Sequence, residues 1–125
     1  LESTIPVIEN MDGSLTGVAA VIDKDLAAER LAEDIEADIL LILTEVDKVC
    51  LDFKKPGQRF LDHMTVPEAI RYMEEGHFAP GSMLPKVMAA IKFARTFPGR
   101  KAIITSLYKA VDALEGKEGT IVTMA

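Results

Sequence analysis

Apolar positions along this chain fall into two alternating kinds of run. The short, uninterrupted kind is typified by Ile39-Leu40-Leu41-Ile42-Leu43, too brief for a typical helix and composed like a strand covered on both faces. Between such runs, apolar residues recur every three or four positions. Ala27, Leu31 and Ile35 do so, with Glu29, Arg30, Glu33 and Asp34 around the other side; so do Val66, Ala69, Ile70 and Met73, and then Val87, Ala90, Ile91 and Ala94. This alternation predicts a layered α/β protein with a largely parallel sheet, in which residues 39–43 form a central strand.

Punctuation between the runs is equally specific. Thr65 and Glu68 have capping-box spacing ahead of the second helical stretch. Phe78-Ala79-Pro80-Gly81-Ser82 interrupts the pattern, and Phe97-Pro98-Gly99 ends the helix that follows. Residues 102–104 read as another strand. Ser106 is placed to cap a helix carrying Leu107, Ala110, Val111 and Leu114, Gly116 stops it, and residues 120–124 are the last strand candidate. Residues 52–59, with Lys54-Lys55-Pro56-Gly57, form a loop. The start is irregular: Pro6 and the turn-like Asn10-Met11-Asp12-Gly13-Ser14 suggest a hairpin over 5–16, followed by an extended stretch over 17–22. With no internal repeat, low-complexity tract or linker, residues 1–125 form one unit.

Composition changes this picture in three ways. An apolar content of 49% over 125 residues is enough for a real core. No apolar run approaches the roughly 18 to 20 residues needed to span a bilayer, and no basic start leads into an apolar signal core, so a soluble protein with no membrane partner is expected. The single cysteine, Cys50, fits a reducing compartment such as the cytoplasm. The net charge of −6 argues against a nucleic-acid partner, so an anionic ligand must be met by a few placed lysines.

Two lysines are so placed. In Asp23-Lys24-Asp25 a lysine stands where an apolar segment turns into a helix, whose first turn carries unpaired N–H groups and partial positive charge. In Gly81-Ser82-Met83-Leu84-Pro85-Lys86, Gly81 permits a tight backbone, Pro85 suits a first helical turn, and Lys86 lies just inside it. Open α/β sheets bind ligands at the carboxyl ends of their strands, and two lysines there suit a ligand with several phosphates. By spacing alone, each reads equally as a solvated surface lysine. Cys50, between Val49 and Leu51, reads as a small packing group. His63 and His77 have no second ligand at metal spacing, so no metal site is expected from side chains. The pairs Glu33-Asp34 and Glu74-Glu75 read as solvated helix faces.

Three stretches, Ala20-Val21-Ile22-Asp23-Lys24-Asp25-Leu26-Ala27, Leu41-Ile42-Leu43-Thr44-Glu45-Val46-Asp47 and Phe78-Ala79-Pro80-Gly81-Ser82-Met83-Leu84-Pro85-Lys86, closely resemble the carbamate kinases of the amino acid kinase family in order and spacing. Phe53-Lys54-Lys55-Pro56-Gly57-Gln58 adds to the likeness. The resemblance implies a three-layer αβα sandwich with a mainly parallel sheet, these residues forming the C-terminal, nucleotide-binding lobe. The N-terminal lobe, with its glycine-rich loops and carbamate pocket, is then expected in a longer chain, and this part alone is expected to be inactive. The implied reaction is reversible phosphoryl transfer between carbamoyl phosphate and ADP, giving ATP and carbamate with magnesium present, in a cytoplasmic homodimer that serves arginine breakdown. Under it, Lys86 stabilises charge on the transferred group, Lys24 holds phosphates, and Asp25 orients the lysines. Thr44, Glu45, Val46 and Asp47 line the nucleotide site, and Met83 and Pro85 border the adenine. Two departures stand out: Glu45 where the family has aspartate, and Leu1-Glu2-Ser3-Thr4 where it has a run of glycines. A non-catalytic nucleotide-binding or regulatory module, or an amino acid kinase for another acceptor, is the alternative.

Overall fold

The computed structural model describes residues 3–9, 15–17, 25–52 and 55–125. Its organising element is the strand of five consecutive aliphatic residues. β3 (Ile39–Thr44) is buried at every position, between β1 (Ser3–Glu9), antiparallel to it, and β7 (Lys101–Ser106), parallel to it. β2 (Leu15–Gly17) pairs antiparallel with β1, as a hairpin requires, while the turn residues 10–14 and the extended stretch over 18–22 lie outside the described residues. On the far side, β8 (Thr120–Thr123) runs antiparallel to β7, and β6 (His63–Thr65) runs parallel to β8. The six-stranded sheet, in the order β2-β1-β3-β7-β8-β6, is therefore mixed, with its parallel pairs at β3–β7 and β6–β8. β4 (Cys50–Leu51) and β5 (Arg59–Phe60) form a separate ribbon flanking the expected loop.

Alternation along the central strands divides the core into two layers, because successive side chains point to opposite faces. Leu40, Ile42, Ala102 and Ile104 belong to the larger layer, under α2 (Val66–Glu74) and α3 (Met83–Thr96) and joined by Ala32 of α1 (Asp25–Asp34). Ile39, Leu41, Leu43 and Ile103 belong to the smaller layer with Val7 and Ala113, the latter from α4 (Ala110–Leu114). The layered α/β expectation holds. Among the described residues no helix is long and apolar enough to cross a membrane.

Local signals set the ends of several elements. Thr65 Oγ1 accepts from Glu68 N at 3.2 Å while Glu68 Oε1 accepts from Thr65 N at 3.0 Å, the reciprocal capping box read from the spacing. Thr65 N and Thr65 Oγ1, the latter at 3.1 Å, both donate to Glu68 Oε1 and hold the Glu68 carboxyl below its ordinary range. α3 ends at Thr96, and α4 ends ahead of Gly116, which takes a φ of 81°.

Two expectations are corrected. The buried face of α1 is Ala28, Glu29 and Ala32, one position round from Ala27, Leu31 and Ile35; Ala27 is exposed and the other two are half-buried. Small alanines at the contact let the helix approach its neighbours closely, and a carboxylate is carried in with them. Secondly, Ser106 makes no side-chain cap. A 3-10 turn (Leu107–Lys109) precedes α4, and Leu107 and Val111 point outward, 50% and 71% exposed.

Buried polar groups tie the sheet to its loops. Thr120, fully buried, accepts from Val49 N at 2.8 Å and donates to Leu61 O at 2.6 Å, so one hydroxyl secures the chain on both sides of the β4–β5 ribbon. Beside it, Gly119 has a φ of 85°, and a Cβ there would lie 3.0 Å from Thr105 Cβ and 3.1 Å from both Ile103 Cγ2 and Ile104 O. Gly119→Ala is therefore expected to lower the unfolding free energy by about 2 to 4 kcal/mol, from left-handed backbone strain plus overpacking. The measurement is a lower denaturant midpoint at unchanged slope.

Candidate functional site

β3 and β7 end side by side, with Thr44 opposite Ser106. Short connections lead from α1 into β3 and from α3 into β7, so both helices run back along the sheet and bring their first turns to the rim where these strands finish. There, Lys86 Nζ donates to Asp25 Oδ2 at 3.2 Å. Lys86 is 2% exposed, and the Asp25 side chain retains only 10% of its accessible surface. Shielding from water makes this attraction far more persistent than that of a surface pair. Pro85, in the first turn of α3, pre-sets the helical φ, while the Ser82 side chain makes no cap bond to that turn. The positive end of the α3 dipole is thus left without a side-chain cap at the rim.

The segment after β3 is pinned at Asp47. Ser106 Oγ donates to Asp47 Oδ1 at 2.5 Å and Thr105 Oγ1 donates to Asp47 O at 3.2 Å. Lys48 forms an ion pair with Asp62, whose carboxylate raises the affinity of the ammonium for its proton against a small opposing effect of burial.

A cavity of about 330 Å³ opens between this segment, the β4–β5 ribbon and the start of α3. Thr44, Glu45, Val46 and Met83 line it, four of the candidate residues brought together from two stretches of chain. A smaller hollow of about 200 Å³ adjoins it through Thr44 and Glu45, walled by Ser106, Leu107 and Tyr108. Asp25, Asp47, Pro85 and Lys86 are not on the wall of the 330 Å³ cavity; Asp47 instead holds the loop to β7. Lys24 and Asp23 lie outside the described residues, as do Phe53 and Lys54. A larger hollow of about 410 Å³ on the outer face, between α1, α2 and α3, carries none of the candidate residues.

Lys48, Cys50, Phe60, His77, Ala79 and Ser82 complete the wall, and no periodicity or motif in the sequence assigned them to it. Cys50 and Phe60 are direct partners in the two-stranded ribbon, so they present their side chains to one side. Cys50 is half-buried rather than an interior packing group. His77 is fixed by its surroundings: its Nδ1 accepts from Asp52 N at 3.3 Å, its Nε2 lies 3.3 Å from Glu75 Oε1, and its ring meets Tyr72 edge-on at 5.9 Å. His63 is bonded to Thr123 at 2.6 Å. Among the described residues no group of three or more His, Cys, Asp or Glu side chains is arranged to hold a metal ion. Two carboxylates read as lying on the polar side of α1 are withdrawn from water: Glu29 is fully buried, and the Glu33 side chain keeps only 23% of its accessible surface.

Residues 1–106 match the model of the amino acid kinase family. A carbamate kinase-like protein of Escherichia coli strain K12 is 54% identical over 118 residues, covering 94% of this chain and 38% of that protein. A carbamate kinase of Thermococcus kodakarensis is likewise 54% identical, over 93% of this chain and 36% of its own length. The chain thus spans well under half of these curated relatives. Among solved structures, a carbamate kinase from Giardia lamblia bound to AMP-PNP superposes with a TM-score of 0.78 at 46% identity, covering 93% of this chain and 40% of that one.

Removing the hydroxyl that restrains Asp47 is expected to free the segment after β3 locally. Ser106→Ala should speed amide exchange over residues 45–48 by about tenfold or more, the equivalent of one hydrogen bond to a charged group. The Val49 amide, held by Thr120, should keep its rate. Exchange rates from NMR or mass spectrometry provide the check.

Proposed function

This chain belongs to the amino acid kinase family, and on that premise we propose that it is the nucleotide-holding lobe of a carbamate kinase, transferring a phosphoryl group reversibly between carbamoyl phosphate and ADP to give ATP and carbamate. The observation that carries this reading is the buried Asp25–Lys86 pair at the rim where β3 and β7 end, next to a cavity lined by Thr44, Glu45, Val46 and Met83. The relatives from Escherichia coli and Thermococcus, and the Giardia structure with its ATP analogue, support it.

Phosphoryl transfer requires little covalent work from a protein; it requires alignment and neutralisation of spreading negative charge. Lys86 supplies a fixed positive charge in a water-poor setting, backed by the uncapped start of α3. Asp25 is the positioning group: by accepting a hydrogen bond from Lys86 Nζ it decides where that charge stands before the substrate arrives. Lys24, one residue before α1, is the second phosphate contact in this reading. The cavity takes the nucleoside, with the apolar Val46, Met83 and Phe60 against the base and Thr44 and Glu45 as its polar contacts. Met83 forms the adenine border, Pro85, off the cavity wall, fixes the first turn of α3 that carries Met83, and Asp47 holds its loop.

The described side chains do not form a magnesium cage. Magnesium is therefore assigned to the phosphates of the nucleotide, the usual manner for an ion that dehydrates reluctantly, and no step here is routed through it. The carbamate pocket belongs to the part of the relatives that this chain does not span, and the whole protein is read as a cytoplasmic homodimer.

Turnover of Lys86→Ala tests the reading in the full natural chain. With ADP, magnesium and carbamoyl phosphate, ATP formation is expected to fall by about a hundredfold or more in kcat, while the KM for ADP changes only a few-fold, the signature of an interaction made in the transition state. Because the change leaves Asp25 buried without its cation, thermal unfolding is measured alongside to establish that the variant is folded. Wild-type turnover in a folded variant would remove Lys86 from the reaction. A wild-type chain that binds ADP but makes no ATP would identify the non-catalytic module instead.

A further inference from the structure

The inner face of α1 carries a line of acid. Asp25, Glu29 and Glu33 are spaced four residues apart, which stacks them along one side of the helix. α3 lies against this face with two lysines. Lys86 meets Asp25 at 3.2 Å; farther along the same seam, Lys92 Nζ lies 3.2 Å from Glu29 Oε1 and 3.8 Å from Glu33 Oε2. Glu29 is fully buried, and neither of its oxygens, nor Glu33 Oε2, has an aligned hydrogen-bond donor. Among the described residues, three carboxyl groups therefore face two lysines, and the side chain of the second, Lys92, is 52% exposed.

Among the described residues, the other charges near this seam are turned away from it. Arg30 pairs with Asp34 on the exposed side of α1. β3, which also packs on α1, has no ionisable residue, and the ionisable residue of β1, Glu9, is exposed at the end of that strand. Arg95 of α3 lines the outer hollow together with Lys92. Glu29 thus answers to Lys92 and Glu33, with Asp25 and Lys86 one turn above.

We propose that Glu29 is a positioning residue: it shares Lys92 with Glu33, fixes the register of α1 on α3, and through its protonation state sets how firmly Asp25 holds Lys86. Both contacts span the same two helices, so a slide or tilt of α1 that loosens one alters the other. With a proton on Glu29, the lower contact contains one carboxylate, one ammonium and a carboxyl O–H able to donate to Glu33. Without it, two carboxylates compete for a single half-solvated ammonium and repel one another inside the seam. Burial is the largest influence on Glu29, followed by the neighbouring Glu33 carboxyl; Lys92 opposes both, and the carboxyl is raised from 4.5 to about 7. The exchange of proton therefore falls in the neutral range.

The effect on turnover rests on the role of Lys86 proposed above; the effect on geometry does not, and the two are read separately. In the full natural chain labelled with 13C-lysine, the Lys86 Cε signal is expected to show a step with a midpoint of about 7. The step should vanish in Glu29→Gln, which keeps the size and the donor but cannot ionise. In Glu33→Gln the midpoint should move down, since the Glu33 charge helps to raise it. Stability supplies the second reading. Glu29 has a folded pKa above its unfolded value, so the stability it confers is complete below about 4.5 and is lost as pH rises through about 7. The Tm of Glu29→Gln minus that of wild type should therefore grow from about pH 5 to about pH 8. A Lys86 signal with no step, a step that survives in Glu29→Gln, or a flat Tm difference each overturns the inference. In turnover, wild-type kcat is expected to fall several-fold on the alkaline side of the same midpoint and Glu29→Gln to lose that limb. An NMR step without the kinetic limb would leave Glu29 in its positioning role and refute the part given to Lys86.

Discussion

A strand with five consecutive aliphatic residues has no face to offer to water, and the architecture follows from covering both of its faces. β3 is buried at all six positions, so helices must lie on either side of the sheet. The connections that supply those helices return each of them to the rim where β3 and β7 end. Strand ends, helix starts and the loop after β3 meet there because the central strand could not be left half-covered. The cavity and the Asp25–Lys86 pair are products of that geometry.

Burying charge at such a rim is costly. Desolvation can exceed the attraction within a buried pair, so Asp25–Lys86 is poor evidence for stability and better evidence for a site. Its arrangement places a cation whose position is defined by a partner and by two helices, rather than by water. Glu29 and Glu33 extend the same acidic line deeper into the α1–α3 seam, where burial and the neighbouring carboxyl raise Glu29 above its ordinary range. The phosphate contact proposed at the rim and the proton site proposed in the seam share one pair of helices.

Elements governed by local rules are legible in the amino-acid order alone. The β3 run, the Thr65–Glu68 capping box, the end of α3 ahead of Phe97-Pro98-Gly99, and the stop of α4 at Gly116 all depend on neighbours a few residues away. Thr44, Glu45, Val46 and Met83 are singled out by the motifs that carry them, and they line one cavity. Lys48, Cys50, Phe60 and His77 are not, because their places on the wall depend on a two-stranded ribbon and on the loop after α2, whose folding over the cavity has no periodic signature. Ser106 shows how a local signal can be diverted: a residue suited to capping a helix gives its hydroxyl to Asp47, 59 positions earlier in the chain.

The sequence by itself determined the central strand, the main helices, the α/β class and the family, since periodicity, turn residues and motif spacing act over short distances; the short strands β4, β5 and β6 carry no such signal. Tertiary structure decided which carboxylates are withdrawn from water. Periodicity placed Glu29 among the solvated charges of α1 because Ala27, Leu31 and Ile35 also make a plausible buried stripe. The contact with α3 instead selected Ala28 and Ala32, whose small side chains permit close approach, and drew Glu29 inside between them. That choice is a property of two helices packed together, and one helical sequence does not contain it.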